Sequence, residues 1–382
     1  MSHRSTYPLL PYSQLVWEMT RWIPGVYRFP AIFRWRNGAK EKARIERAIR
    51  TALENHPVFL MRIDGNGLHY PSKLKDSLHG KYHDIKIDTK GEDLYIEISG
   101  SRILGDGKSG QILCEDIERA YKGLPLEPDD YWGYVARFEQ QKQTDHYRNS
   151  RDWLINEFAD ESVPVRPTMD RKWLATLLPP KVGLSKDDYT ALRERIERLK
   201  DEQFISYEGI FSLAAALAIA DYCGTDAAAL TWAYEGRERP EEQRIFGSLH
   251  RDIPFKINYK SQITNNKSDC IRLARNQIRS GIAHSDYPYT LTAPYTKRWN
   301  YAVNVLRVPD EQGIQKLLPP QLELLPFKPQ KYAYAILDIE IHESENNLSL
   351  WYRYSATHYK SESIQRFAAL VRKYAEWLVN PI

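Results

Sequence analysis

The hydrophobic period along the chain switches repeatedly between the helical and the extended spacing, and each switch predicts an element. Residues 40–55 carry Ile45, Ala48, Ile49, Ala52 and Leu53 at three- and four-residue spacing, which predicts an amphipathic helix. Pro57 should end it, with a strand over Val58–Asp64 that turns at Gly65-Asn66-Gly67 into a partner. Tyr82–Ile87 and Asp93–Ser99 alternate as strands do, and Lys108–Lys122 returns to a helical period with Ile112, Ile117 and Ala120 among its apolar positions. Upstream, Ser13 is a candidate N-cap for a helix reaching Trp22, and Val26–Trp35 reads as a strand with a proline near its middle. Downstream, Asp129–Phe158 predicts one aromatic-rich helix, followed by an irregular, proline-rich stretch over 159–184. Ser185 and Asp188 form a near capping box that predicts a helix over 186–200, and a second, Ala- and Leu-rich helix is expected over 206–223. Strands are predicted over Ala227–Tyr234, Trp299–Val308, Tyr332–His342 and Leu348–Thr357. Phe246–Ile257 mixes strand and loop, and Ser268–Arg279 and Glu362–Val379 read as helices.

Composition narrows the class. The chain of 382 residues is 42% hydrophobic and 27% charged, which fits a globular protein with a real core and two or three domain-sized units. A net charge of +4 is too small for a nucleic-acid footprint. Cys114, Cys223 and Cys270 are odd in number and far apart, which argues against a disulfide framework or a cysteine zinc site and fits a reducing, cytoplasmic compartment. No apolar run reaches membrane-spanning length, and the opening MSHRSTYPLLP lacks the apolar stretch of a signal peptide, so neither a membrane span nor export is expected.

The stretch of greatest chemical interest is Ser101-Arg102-Ile103-Leu104-Gly105-Asp106-Gly107, between a predicted strand and a predicted helix. Its glycines are expected to permit backbone angles that other residues resist. His83, His146, His342 and His358 show no metal spacing, and no phosphate-binding glycine loop or nucleophile elbow is present. No metal is therefore expected. His250 falls in a predicted loop with no motif support for a chemical role, and His284 reads as a structural hydrogen-bonding residue at a helix end.

Taken in order, the motifs resemble those of the condensation domains of nonribosomal peptide synthetases, within the chloramphenicol-acetyltransferase-like superfamily. YPLLPYSQLVWEM resembles the first family motif, and Asn55-His-Pro-Val-Phe-Leu-Met-Arg-Ile63 the second, an Arg-His-x-x-Leu-Arg-Thr-x-Phe pattern. SRILGDG falls where the family carries His-His-x-x-x-Asp-Gly. Tyr131-Trp-Gly-Tyr134, Trp232-Ala-Tyr-Glu-Gly-Arg237, Phe246-Gly-Ser-Leu-His-Arg-Asp-Ile-Pro-Phe255 and Ala283-His-Ser-Asp-Tyr-Pro-Tyr289 resemble later segments.

The resemblance implies an α/β fold of two acetyltransferase-like lobes in a V-shaped pseudo-dimer with a central tunnel. The expected divisions are an N-terminal lobe over 1–165 carrying the SRILGDG loop, a linker over 166–184, and a C-terminal lobe over 185–382. It implies a monomer that works with peptidyl or acyl carrier proteins, or other synthetase domains. No cofactor is intrinsic, since the phosphopantetheine arm of the carrier delivers the thioester. The implied reaction is amide or ester formation. The family's catalytic second histidine is replaced by Arg102, and its first by Ser101. A guanidinium stays protonated and cannot act as a general base. Three uses of Arg102 remain open: stabilising an oxyanion, pairing with a phosphate or carboxylate, or filling an inactive tunnel beside a nearby acid. Asp106 is implied to hold the loop through a cation, either Arg62 or Arg237, because the family's arginine is Leu60 here. Gly107 is expected to serve the backbone, Ser109 to cap the following helix, and His284 to be structural. Three functions compete: a condensation-type acyltransferase with an altered centre, a non-catalytic carrier-docking or enzyme-recruiting module such as the family's X domains, and a free-standing acyltransferase using coenzyme A.

Overall fold

The computed structural model describes residues 6–22, 27–73, 76–171, 181–258, 267–288, 302–309, 315–316, 318–326 and 335–380. In chain order these form β1 (Tyr7–Pro8), α1 (Pro11–Trp22), β2 (Arg28–Trp35), α2 (Lys42–Asn55), α3 (Pro57–Leu60), β3 (Met61–Ile63), β4 (Leu68–Pro71), β5 (His83–Lys90) and β6 (Asp93–Ser101). There follow α4 (Gly107–Tyr121), α5 (Tyr131–Gln141), α6 (Asp145–Phe158), β7 (Val182–Asp188), α7 (Arg193–Gln203), α8 (Tyr207–Cys223), β8 (Ala227–Tyr234) and β9 (Arg251–Asn258). The chain closes with α9 (Lys267–Ala283), β10 (Val303–Pro309), β11 (Leu322–Leu325), β12 (Leu337–Glu343), β13 (Leu348–Ser355) and α10 (Ser361–Val379). The mixed α/β class expected from the sequence is borne out.

Two compact units emerge. The first comprises Met1–Gln141, Glu235–His250 and Glu311–Pro329; the second comprises Lys142–Tyr234, Arg251–Asp310 and Gln330–Ile382. The contacts therefore divide the chain differently from the expected cut at 166–184. The physical reason is packing. Val163 and Val165 are buried in a cluster with Phe158 and Ala229 of the second unit. The carbonyls of Pro164 and Val165 accept from the Ala229 and Val303 N–H groups at 2.9 Å, so the described part of the stretch after α6 is tied down. Residues 172–180 lie outside the described residues.

In the first unit, a four-stranded sheet runs β11-β2-β6-β5, antiparallel throughout, beside a small sheet β1-β4-β3. The apolar face of α2 (Ile45, Ala48, Ile49, Ala52 and Leu53) is buried as its spacing predicts, and α2 packs with α4. In the second unit, six strands run β7-β13-β12-β10-β8-β9, parallel only where β10 meets β12 and β8. Helix α8 is apolar all round, so it can only be a core element. Its side chains from Ile210 to Ala220 are buried, with Ser206 as N-cap and left-handed Gly224 as C-cap.

Several expectations are corrected. Ser13 lies inside the first turn of α1, which starts at Pro11, and its hydroxyl donates to the Ile103 carbonyl at 3.0 Å. The chain after Pro57 makes the short helix α3 before β3 begins at Met61, because proline suits a first helical turn as well as it ends a helix. The single helix expected over Asp129–Phe158 is two, restarted by Thr144, whose hydroxyl caps the Tyr147 N–H at 3.2 Å. Ser185 and Asp188 form no capping box: they sit on β7, paired with Tyr352 and Ser349 of β13, and Asp188 Oδ1 accepts from the Thr190 N–H at 2.9 Å. Cross-strand pairing overrides the local helix signal there. The proline-flanked β11 went unread.

Candidate active site

Strand β6 delivers the loop, and α4 receives it. Asp106 is the N-cap of α4, and Ser109 completes a reciprocal capping box. Asp106 Oδ1 accepts from the Ser109 N–H at 3.0 Å, while the Asp106 N–H donates to Ser109 Oγ at 3.3 Å. Asp106 is thus the N-cap and Ser109 shares the capping as its N3 partner. The Ser109 hydroxyl also donates to the Gly247 carbonyl at 2.9 Å.

The cation that pairs with Asp106 is Arg237, not Arg62. Arg237 is wholly buried and forks onto both carboxylate oxygens, Nη1 to Oδ2 at 2.9 Å and Nη2 to Oδ1 at 3.0 Å. It also donates to the Ile245 and Gly247 carbonyls at 3.1 and 3.2 Å. The Leu249 and His250 N–H groups donate to Asp106 Oδ2 at 3.0 and 3.2 Å. Arg62 fails as a partner because residue 60 ends α3, so the two-residue strand period does not connect 60 to 62, and the Arg62 side chain is exposed on β3. Burial alone would raise the Asp106 carboxyl. The Arg237 charge and hydrogen bonds outweigh it and hold the carboxyl below its usual range.

The glycines act through space, not angle. Neither Gly105 nor Gly107 has a left-handed φ. A Cβ at Gly105 would stand 2.7 Å from Ser109 Cβ and 2.9 Å from the Phe246 ring, whereas one at Gly107 would meet nothing within 4 Å. Gly105→Ala is expected to cost about 1–3 kcal/mol through overpacking, and Gly107→Ala to be neutral or stabilising by up to about 1 kcal/mol. Denaturant unfolding of the two variants measures the contrast.

Ser101 is buried at the end of β6, where its Oγ accepts from the Ile103 N–H at 3.3 Å. Arg102 is partly buried. Its N–H donates to the Tyr27 carbonyl at 2.9 Å, and its Nη1 donates to the Tyr12 hydroxyl at 3.4 Å. His284 belongs to the second unit, stacked on Trp153 with centroids 4.5 Å apart and its Nδ1 3.2 Å from Ser150 Oγ. Burial lowers its pKa. Among the described residues, no group of three or more His, Cys, Asp or Glu side chains is arranged to hold a metal ion.

Sequence reasoning missed a buried histidine behind the loop. His56 Nδ1 lies 2.9 Å from Asp129 Oδ2, and its Nε2 lies 3.2 Å from Asp116 Oδ2 as an ion-pair contact. Arg244 closes the network onto Asp116 and onto Glu115 at 2.5 Å. Asp129 Oδ2 also accepts from the Phe246 N–H at 3.1 Å, which anchors the segment carrying Gly247, Leu249 and His250. His56 stood inside the second motif, but nothing in its spacing named two carboxylates that come from separate elements.

With this geometry in view, the family can be stated. A model of the condensation domain matches residues 102–379, well over half of the chain. The chain belongs to the condensation domain family. Gramicidin S synthase 2 of Aneurinibacillus migulanus is 22% identical over 297 residues, 73% of this chain and 6% of that protein. Tyrocidine synthase 3 of Brevibacillus parabrevis is 22% identical over 280 residues, 70% of this chain and 4% of that protein. The condensation domain described here thus spans a few per cent of the length of these curated relatives. Among solved structures, the X-domain from teicoplanin biosynthesis superposes with a TM-score of 0.78 at 15% identity, covering 99% of this chain and 95% of that one. The epimerization domain from the third module of tyrocidine synthetase B gives 0.74 at 15%, covering 98% and 96%. At these identities the likeness shows the fold.

Proposed function

We propose that this condensation domain engages acyl and aminoacyl thioesters on the phosphopantetheine arms of carrier proteins and joins them, at a centre where residue 102 moves no proton. The observation that carries the reading is the loop itself. Asp106 and Arg237 hold the strand-to-helix turn through paired hydrogen bonds, and the resemblance to the family puts its chemistry at residues 101 and 102 of that turn. Arg102, paired with Tyr12, supplies a fixed cation suited to an oxyanion. A docking or recruiting module of the same fold is the second reading, favoured by the loss of both motif histidines.

The test incubates the chain with acetyl-loaded and glycyl-loaded peptidyl carrier proteins and follows acetylglycyl product by mass, with acetyl-coenzyme A as the competing donor. Product from the carrier donor but not from coenzyme A is expected. Carrier binding without product would leave only the docking module. Product from coenzyme A alone would replace both readings with a free-standing acyltransferase.

A further inference from the structure

No imidazole stands at position 102, but one packs on the tyrosine that Arg102 reaches. The His250 ring packs edge-on against Tyr12, with centroids 3.9 Å apart and planes 67° apart, and the Tyr12 hydroxyl accepts from Arg102 Nη1 at 3.4 Å. The backbone of His250 is fixed by its N–H bond to Asp106 Oδ2 at 3.2 Å. That bond sets the imidazole next to the loop's anchor. Tyr12 comes from α1, Arg102 from the loop after β6, and His250 from the residue before β9. All three side chains are partly exposed.

Only one member of this cluster can take a proton near neutral pH. A guanidinium cannot, a phenol is already protonated there, and both oxygens of Asp106 are committed to Arg237 and backbone N–H groups. An imidazole titrates in the required range.

We infer that His250 is the proton acceptor of this centre, with Arg102 facing the developing oxyanion. The inference rests on the proposed acyl transfer. The amine lone pair attacks the thioester carbon and forms the C–N bond, and Arg102 neutralises charge on the tetrahedral oxygen. The ammonium proton passes to His250. As the C–S bond breaks, the thiolate leaves with that proton as a free thiol, and His250 returns to neutral imidazole. Nothing is oxidised or reduced.

His250→Gln keeps a polar side chain that does not titrate and leaves the backbone bond to Asp106 in place. With the acetyl- and glycyl-loaded carriers, its single-turnover rate is expected to fall roughly 10²- to 10⁴-fold, the usual worth of general acid–base help. Carrier affinity and unfolding midpoint should stay unchanged, and the wild-type rise of rate with pH through the imidazole range should disappear. Free imidazole should restore part of the rate to His250→Ala, an effect that a merely structural role would not give. A His250→Gln rate equal to wild type overturns the assignment and leaves acyl transfer standing. Carrier binding without product from the wild type overturns the assignment and acyl transfer together, leaving carrier engagement. Absence of both product and carrier binding removes the functional reading as well.

Discussion

Arg237→Ala is expected to cost about 3–5 kcal/mol of folding stability, because it leaves the Asp106 carboxylate buried without its counter-charge. Arg237→Lys should recover little, since a point ammonium cannot supply the two-pronged fork or the bonds to the Ile245 and Gly247 carbonyls. Removing both charges together, as Asp106→Asn with Arg237→Met, should cost less than the sum of the single changes, because no unpaired charge then remains. Urea unfolding of the wild type, Asp106→Asn, Arg237→Met and the double variant measures the coupling. Additive single effects would mean that the pair does not hold the loop.

The second large effect is pH-dependent and belongs to His56. Burial alone would lower its pKa, but hydrogen bonds and charge from Asp116 and Asp129 outweigh it, so the folded value is raised. A raised histidine stabilises fully below its unfolded value of about 6.5 and loses that contribution as pH rises through the folded value. The first unit should therefore lose stability from near neutral pH upward, and His56→Gln should flatten that slope. At acid pH a different group acts. The lowered carboxyl of Asp106 contributes above its unfolded value of 3.8, and that contribution goes as pH falls through the folded one. His56→Ala should destabilise the fold at pH 6, because Asp129, whose carboxyl burial already raises, then loses its cation and must take up a proton to stay buried. Unfolding midpoints from about pH 2 to pH 9 follow both effects, Asp106 at the acid end and His56 at the neutral end. A wild-type slope unchanged by His56→Gln would mean that the histidine is not charged in the fold.

The sequence made the fold legible wherever one face of an element decides its fate. The stripe of α2, the all-apolar α8 and the alternation of β6 each describe burial that packing then realises. It misled where tertiary pairing outweighs local signals. Ser185 and Asp188 look like a helix start in isolation but sit on β7, and β11 is four residues between prolines whose partner, β2, lies almost three hundred residues earlier. At the site, the ordered motifs located the loop, Asp106 and Arg237, but left Arg62 open because a strand was assumed where α3 ends. Tyr12 and His250 lie inside motif-like segments, but nothing in those segments singled either out as a site residue. Only folding brings Tyr12 of α1 to Arg102 and His250, before β9, onto Tyr12, and no spacing rule encodes that proximity.

The most direct test of the functional account is calorimetric titration of the wild-type chain with one peptidyl carrier protein in three states: apo, phosphopantetheinylated, and acetyl-loaded. The account predicts saturable binding that strengthens from apo to acetyl-loaded carrier, with the arm and its thioester adding to the affinity. Equal affinity for all three states, or no binding to any, would contradict it.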